Sequence, residues 1–272
     1  MHTPSFVIET ITPAIAEAYL AKNIKNRNHK KLAITRFARD MASGNWQVTG
    51  EAIKFDINGN LIDGQNRLLA VIESGATIQT AVIRGLAPET QGIMDAGTPR
   101  SGADQLNLHG YTNGKDLQAI CNTHASWHSK GLASANSELG GSQRLTNSEV
   151  TEYADSHPIL ADATKFATKF RPHLQLPVGA LGVAWAEFVR IDADAADDFF
   201  QRIKDLRTSG AGDPVATLIR RVNDMRASKR RVGQGLALFL LFRTWNAYRS
   251  GDRLSKFQIG AEGSWATIPE PK

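Results

Sequence analysis

The stretch EAIKFDINGNLIDGQNRLLAVIESG, residues 51–75, changes its hydrophobic period in the middle, and that change sets the fold class. Ile53, Phe55 and Ile57 alternate with polar residues, the period of a half-buried strand. Asn58-Gly59 falls where a tight type I′ hairpin turn is expected, and Leu61 and Ile62 open the return strand. After Asp63 the apolar residues Leu68, Leu69, Val71 and Ile72 follow helical spacing, which Gly75 ends.

Working outward, KKLAITRFARDMAS (30–43) predicts a helix, TIQTAVIRG (77–85) a strand rich in β-branched residues, and PETQGIMD (88–95) a short helix opened by Pro88. From about residue 115 the signals are almost all helical, beginning with KDLQAICNTHASWHSKG (115–131). Thr146 and Glu149 form a capping-box pattern, and further helices are expected at 158–170, 178–191, 194–207, 213–227 and 229–250. The fold class is therefore α+β: a mixed α/β domain over 1–112 and a mainly α-helical domain over 113–272. GLASANSELGGSQR (131–144) reads as a flexible loop or lid.

The composition is globular, with 42% hydrophobic and 22% charged residues. The longest apolar run near the end, GLALFLLF, is too short to span a bilayer, so no membrane partner is expected. The start lacks the regions of a signal peptide, and the single cysteine, Cys121, rules out an intramolecular disulfide. These features predict a cytoplasmic protein (host cytoplasm, if phage-encoded). The net charge is +5. Basic residues gather in NIKNRNHKK (23–31) and LIRRVNDMRASKRR (218–231). Such clusters attract polyanions by counterion release, which makes DNA an expected partner, with Arg220, Arg221, Lys229, Arg230 and Arg231 as backbone contacts.

The junction IDGQNRLL is the candidate site. The first N–H groups of a helix lack internal partners, and the helix dipole adds partial positive charge there. Asp63 is placed to cap the helix, hold a metal ion or orient an attacking hydroxyl, and Gly64 permits close approach of a ligand. Gln65 and Asn66 add amide donors, and Arg67 offers a planar fork for phosphate oxygens.

The same block, with NRNHKKLAITRFARDMASGNW upstream and VIRGLAPETQGIMDAGTPRSGADQL downstream, resembles the ParB/sulfiredoxin-like superfamily. The likeness is to the phage and plasmid branch, whose signature reads D-G-Q-H-R-L. LFRTWNAYRSGDRL near the end extends it, less specifically, over most of the chain. That superfamily includes CTP-binding DNA clamps, an ATP-using sulfinic-acid reductase, free-amino-acid kinases and nucleases, so fold alone does not choose a function. The resemblance implies a ParB/sulfiredoxin-like first domain binding ATP or CTP with Mg²⁺. Gly64, Gln65, Asn66 and Arg67 would bind the nucleotide, with Arg84, Thr98, Arg100 and Ser101 closing the other side. Asp63 and Glu51 would be catalytic, and Asp63 and Asp95 would hold the metal.

Asn66 stands where the family has His, and an amide cannot accept a proton at neutral pH, so binding survives that change more easily than catalysis. The resulting expectation is a nucleotide-binding protein that hydrolyses nucleotide or transfers phosphate in association with DNA. Its alternative is a non-catalytic DNA-binding regulator or partition factor, and a nuclease ranks below both. A homo-oligomer is left open. Cys121, His124 and His128 share a helix face at i, i+3 and i+7, but without a second cysteine pair a polar or partly buried face is the preferred reading over zinc.

Overall fold

The computed structural model describes residues 3–24, 30–93, 101–229, 231–261 and 264–272. The chain is mixed α+β, with a four-stranded sheet, a two-stranded ribbon and eleven α-helices among the described residues. It divides into two compact units, Met1–Pro99 and Arg100–Lys272.

The first unit begins with β1 (Ser5–Ile11) and α1 (Pro13–Leu20), whose start is capped by the Thr12 hydroxyl and stiffened by Pro13. Next come α2 (Lys31–Ala42), β2 (Ala52–Asp56), β3 (Leu61–Asp63), α3 (Gln65–Ser74) and β4 (Ile78–Leu86). The sheet order is β1-β4-β2-β3, with β4 antiparallel to β1 and parallel to β2. A parallel pair needs a crossover, and α3 supplies it between the hairpin and β4. Ile53, Phe55 and Leu61 of the hairpin, Leu68 and Val71 of α3 and Val82 of β4 form the core, joined by Ile34, Ala38 and Met41 of α2.

The hairpin turn is not type I′, because Gly59 has a positive φ (81°) and Asn58 does not. Asp56 N–H bonds the Asn60 carbonyl, and the Asp56 carboxylate accepts from the N–H groups of Asn58 and Asn60. The result is a three-residue loop closed by an aspartate side chain, with the glycine in the left-handed region.

The second unit contains α4 (Gly102–Leu108), α5 (Gly114–His128), α6 (Asn147–Ser156), α7 (Ile159–Leu174) and α8 (Val178–Ile191). It continues through α9 (Ala193–Lys204), α10 (Pro214–Ala227), α11 (Gln234–Ser250), β5 (Gly260–Ala261) and β6 (Ser264–Trp265). The helix α4 was not expected; its residues, placed in the first domain by the 1–112 boundary, pack on α5 and α6 and so fall in this unit. The Thr146–Glu149 capping box forms as expected at α6. The last long helix begins at Gln234 rather than 229, because Lys229 turns left-handed (φ 53°) just after α10. Its apolar run, Leu236–Phe242, is buried, and Trp245 stacks on Phe188 of α8 with centroids 4.2 Å apart. A helix apolar on all sides belongs in the middle of a domain.

The segment 131–144 is not a free lid. Leu132 and Ala135 are buried, Ala135 N–H bonds the Ala266 carbonyl, and Ile268 N–H bonds the Ala133 carbonyl. The segment packs closely: a Cβ on Gly131 would lie 2.7 Å from Ser126 Oγ, and one on Gly235 of α11 would lie 2.6 Å from the Ser134 carbonyl oxygen. Among the described residues no single helix is long and apolar enough to cross a membrane; only α7 with α8, bent by 116°, pass by length and composition together.

Candidate functional site

The start of α3 is built by a sharp reversal at Gly64, whose φ is +100°. A side chain there would meet Ile53, with Cγ1 at 3.0 Å and Cα at 3.1 Å from an added Cβ, so the backbone of the loop lies directly on β2. Two demands of the fold, a left-handed φ and close packing, thus account for the glycine without a ligand.

Asp63 does not cap α3 as expected; Gly64 holds the cap position, and no side-chain hydrogen bond caps the helix. The Asp63 carboxylate turns back instead, with Oδ2 2.8 Å from Lys54 Nζ and Oδ1 accepting from the Gly64 N–H at 2.7 Å. Both carboxylate oxygens of Asp63 thus have partners within the first unit. Glu51 is exposed and lies 3.5 Å from Arg67 Nη2. Gln65 is buried, and Asn66 Oδ1 accepts from the Lys30 N–H at 3.4 Å. The Arg67 side chain is 13% exposed, and its Nη1 is buried with no hydrogen-bond partner among the described residues.

Asp63, Gly64, Gln65, Asn66, Arg67 and Glu51 are therefore brought together, whereas Arg84 is not. Its guanidinium is taken by Glu9 and the Tyr19 hydroxyl and lies over the Tyr19 and Phe55 rings, 5.6 and 5.4 Å from their centroids. The Arg84 hydrogen bonds hold the Glu9 carboxyl below its ordinary range. Ser101, expected to contact nucleotide, is the N-cap of α4 in a capping box with Asp104 and belongs to the second unit. Asp95, Thr98 and Arg100 lie outside the described residues, as does Arg230.

Of the remaining basic residues, Arg220 on α10 is exposed and donates to the Ser255 carbonyl at 3.2 Å, while Lys229 and Arg231 are exposed. Arg221 is half-buried, with its Nε lacking a partner.

A second constellation lies in the helical unit. His124 and His128, one turn apart on α5, face Glu187 on α8. His124 Nε2 lies 3.1 Å from His128 Nε2 and 3.3 Å from Glu187 Oε1, and His128 Nε2 lies 3.1 Å from the same oxygen. The Tyr153 hydroxyl of α6 is 2.7 Å from His124 Nδ1, and Arg190 donates from both Nε and Nη2 to Glu187 Oε2. Close helix packing makes this meeting possible. Added Cβ atoms on Gly179 and Gly182 of α8 would lie 2.3 Å from Thr123 Oγ1 and 2.4 Å from Ile120 Cδ1 of α5.

Glu187 is 3% exposed, and burial alone would raise its carboxyl. Hydrogen bonds from His124 and Arg190 outweigh that and bring it down to about 2. Burial lowers the His124 imidazole against the pull of Glu187, which favours its neutral form. Cys121 takes no part: it is fully buried, and burial pushes its thiol up to about 12. Reading His124 and His128 only as a polar face missed Glu187, which is far away in sequence and embedded in an apolar helix. No family model matches this chain, and no curated protein or solved structure matches it either.

Proposed function

We propose that the first unit is a ParB/sulfiredoxin-like nucleotide-binding unit that takes the phosphates of ATP or CTP, with Mg²⁺, at the start of α3. The observation that carries this reading is Arg67 Nη1, a buried guanidinium nitrogen without a partner beside a helix start without a side-chain cap. Free N–H groups, a positive helix end and an unsatisfied Arg nitrogen are together complementary to a phosphate oxygen. Binding is favoured over turnover. Asp63 is neutralised by Lys54, Glu51 is paired with Arg67, and Asn66 cannot move a proton.

Calorimetric titration with ATP, CTP, GTP and ADP in Mg²⁺ tests this, alongside Arg67→Ala and Arg67→Gln. Losing a charge-assisted hydrogen bond of about 1.5–3 kcal/mol weakens one nucleotide roughly 10- to 100-fold in both variants. Heat from no nucleotide, or equal binding by folded variants, removes the reading. Phosphate release by the wild type would move it from binding to catalysis.

A second reading, DNA association, is favoured by Lys229 and Arg231, exposed side chains with no ion pair among the described residues. Unneutralised cations of this kind release counterions from a nucleic-acid backbone. Binding to duplex DNA that falls steeply with salt supports it, and salt-independent binding does not.

A further inference from the structure

The contacts between His124, His128 and Glu187 pose a proton-counting problem. Three atoms, His124 Nε2, His128 Nε2 and Glu187 Oε1, form a triangle with sides of 3.1, 3.1 and 3.3 Å. Each ring nitrogen carries at most one proton, and the carboxylate, which accepts two bonds from Arg190 on its other oxygen, carries none. If both nitrogens donate to the oxygen, two N–H groups face each other across 3.1 Å with no acceptor between them. If one nitrogen is bare, it can accept from the other N–H, but its lone pair then meets the carboxylate oxygen and that side of the triangle is repulsive. No placement of protons makes all three sides attractive.

A cation at the centre does. Ligand atoms at about 2.0–2.1 Å from a tetrahedral zinc ion lie about 3.3–3.4 Å from one another, close to the observed sides. We propose that His124 Nε2, His128 Nε2 and Glu187 Oε1 bind one zinc-class divalent cation between α5 and α8. Two imidazoles select zinc or its borderline relatives over Mg²⁺ and Ca²⁺, which take oxygen ligands.

The surroundings supply the outer contacts such a site requires. A metal on His124 Nε2 places the ring proton on Nδ1, where the Tyr153 oxygen accepts it at 2.7 Å. Arg190 holds the other oxygen of Glu187 at 2.8 Å and so turns Oε1 toward the imidazoles. Three protein ligands leave a fourth position, the pattern of catalytic rather than closed structural zinc sites. His128 is half-exposed, and the ligands border a cleft of about 500 Å³ lined also by Tyr153, His157 and Ile159. The ligand residues themselves thus line a space that admits water or a small ligand.

The test uses the full chain, stripped with a chelator and titrated with zinc against a competing chromophoric chelator. One zinc per chain is expected, weakened at least about tenfold by His128→Ala and about 10- to 100-fold by Tyr153→Phe. His128 can be replaced without opening the core, so a folded His128→Ala protein decides the matter even if Glu187→Gln fails to fold. Cobalt(II) in place of zinc should give the strong visible bands of a four-coordinate site, lost in His128→Ala. Less than one equivalent bound, or zinc held equally by folded His128→Ala, overturns the proposal.

Discussion

The start of α3 and the space between α5 and α8 both gather charged side chains, and they settle those charges differently. At α3 each acid meets one base, Asp63 with the part-buried Lys54 and the exposed Glu51 with Arg67, and one guanidinium nitrogen is left over among the described residues. Between α5 and α8 a buried carboxylate meets two imidazoles whose ring nitrogens also meet each other, leaving a surplus of lone pairs. The first arrangement complements an anion, and the second a cation. Charge at a surface is cheap to pair and says little about stability, whereas charge inside a helical core is kept only where its partners are well placed.

The widest gap between the two regions should appear in stability. Glu187→Ala leaves the buried His124 without its acid, opens a cavity between α5 and α8, and should cost about 2–4 kcal/mol in chemical denaturation. Glu51→Ala, which removes an exposed carboxylate 3.5 Å from its partner, should change stability by less than about 1 kcal/mol. Similar losses for the two would break the contrast.

The next largest effects separate the regions by glycine. Gly179→Ala forces a Cβ to within 2.9 Å of the Ala119 carbonyl oxygen and should cost about 1–3 kcal/mol while abolishing zinc binding and sparing nucleotide binding. Gly64→Ala, at φ +100°, should cost a similar amount, about 1–3 kcal/mol, and do the reverse. Loss of both activities in either variant would contradict the separate assignment of the two sites.

Acid provides a finer comparison. Asp213, the buried N-cap of α10, would be raised by burial alone, but bonds from the Ser209 and Ala216 N–H groups lead a set that holds it below its ordinary range. A carboxyl lowered by folding contributes stability above its unfolded value and loses it as pH falls through the folded one. Asp213→Asn should thus lower stability at neutral pH by about 1 kcal/mol, with the gap to wild type closing in acid. A gap that widens as pH falls would reverse the sign of the argument. The smallest effect belongs to Lys229→Ala and Arg231→Ala. Each should leave stability within about 0.5 kcal/mol of wild type and reduce the salt slope of DNA binding by about one.

Much of the fold was legible because strands and helices here keep clean periods. The hairpin at Ile53–Ile62, the helix ended by Gly75 and the Thr146 capping box can each be read from a few residues. The strand β1 escaped because Phe6, Val7 and Ile8 form an unbroken apolar run that stays substantially exposed at the sheet edge. The segment 131–144 was misread because small residues look alike whether they are mobile or pressed against Gly235.

The candidate sites divide in the same way. DGQNR is contiguous and therefore conspicuous, yet its glycine answers to Ile53 and its aspartate to Lys54. The resemblance put Arg84 in that site, and nothing nearby in the sequence points to its actual partners, Glu9 and Tyr19, far earlier in the chain. Half of the second constellation was visible as His124 and His128 one turn apart. Glu187 was hidden because its approach depends on Gly179 and Gly182, which read in sequence as weak points of a helix rather than as its contact face.

The most direct test is anomalous diffraction at the zinc edge from crystals of the full chain grown with zinc. One strong peak per chain is expected, about 2.0–2.2 Å from His124 Nε2, His128 Nε2 and Glu187 Oε1. Density without an anomalous peak between these three residues, with zinc only elsewhere on the surface, would contradict it.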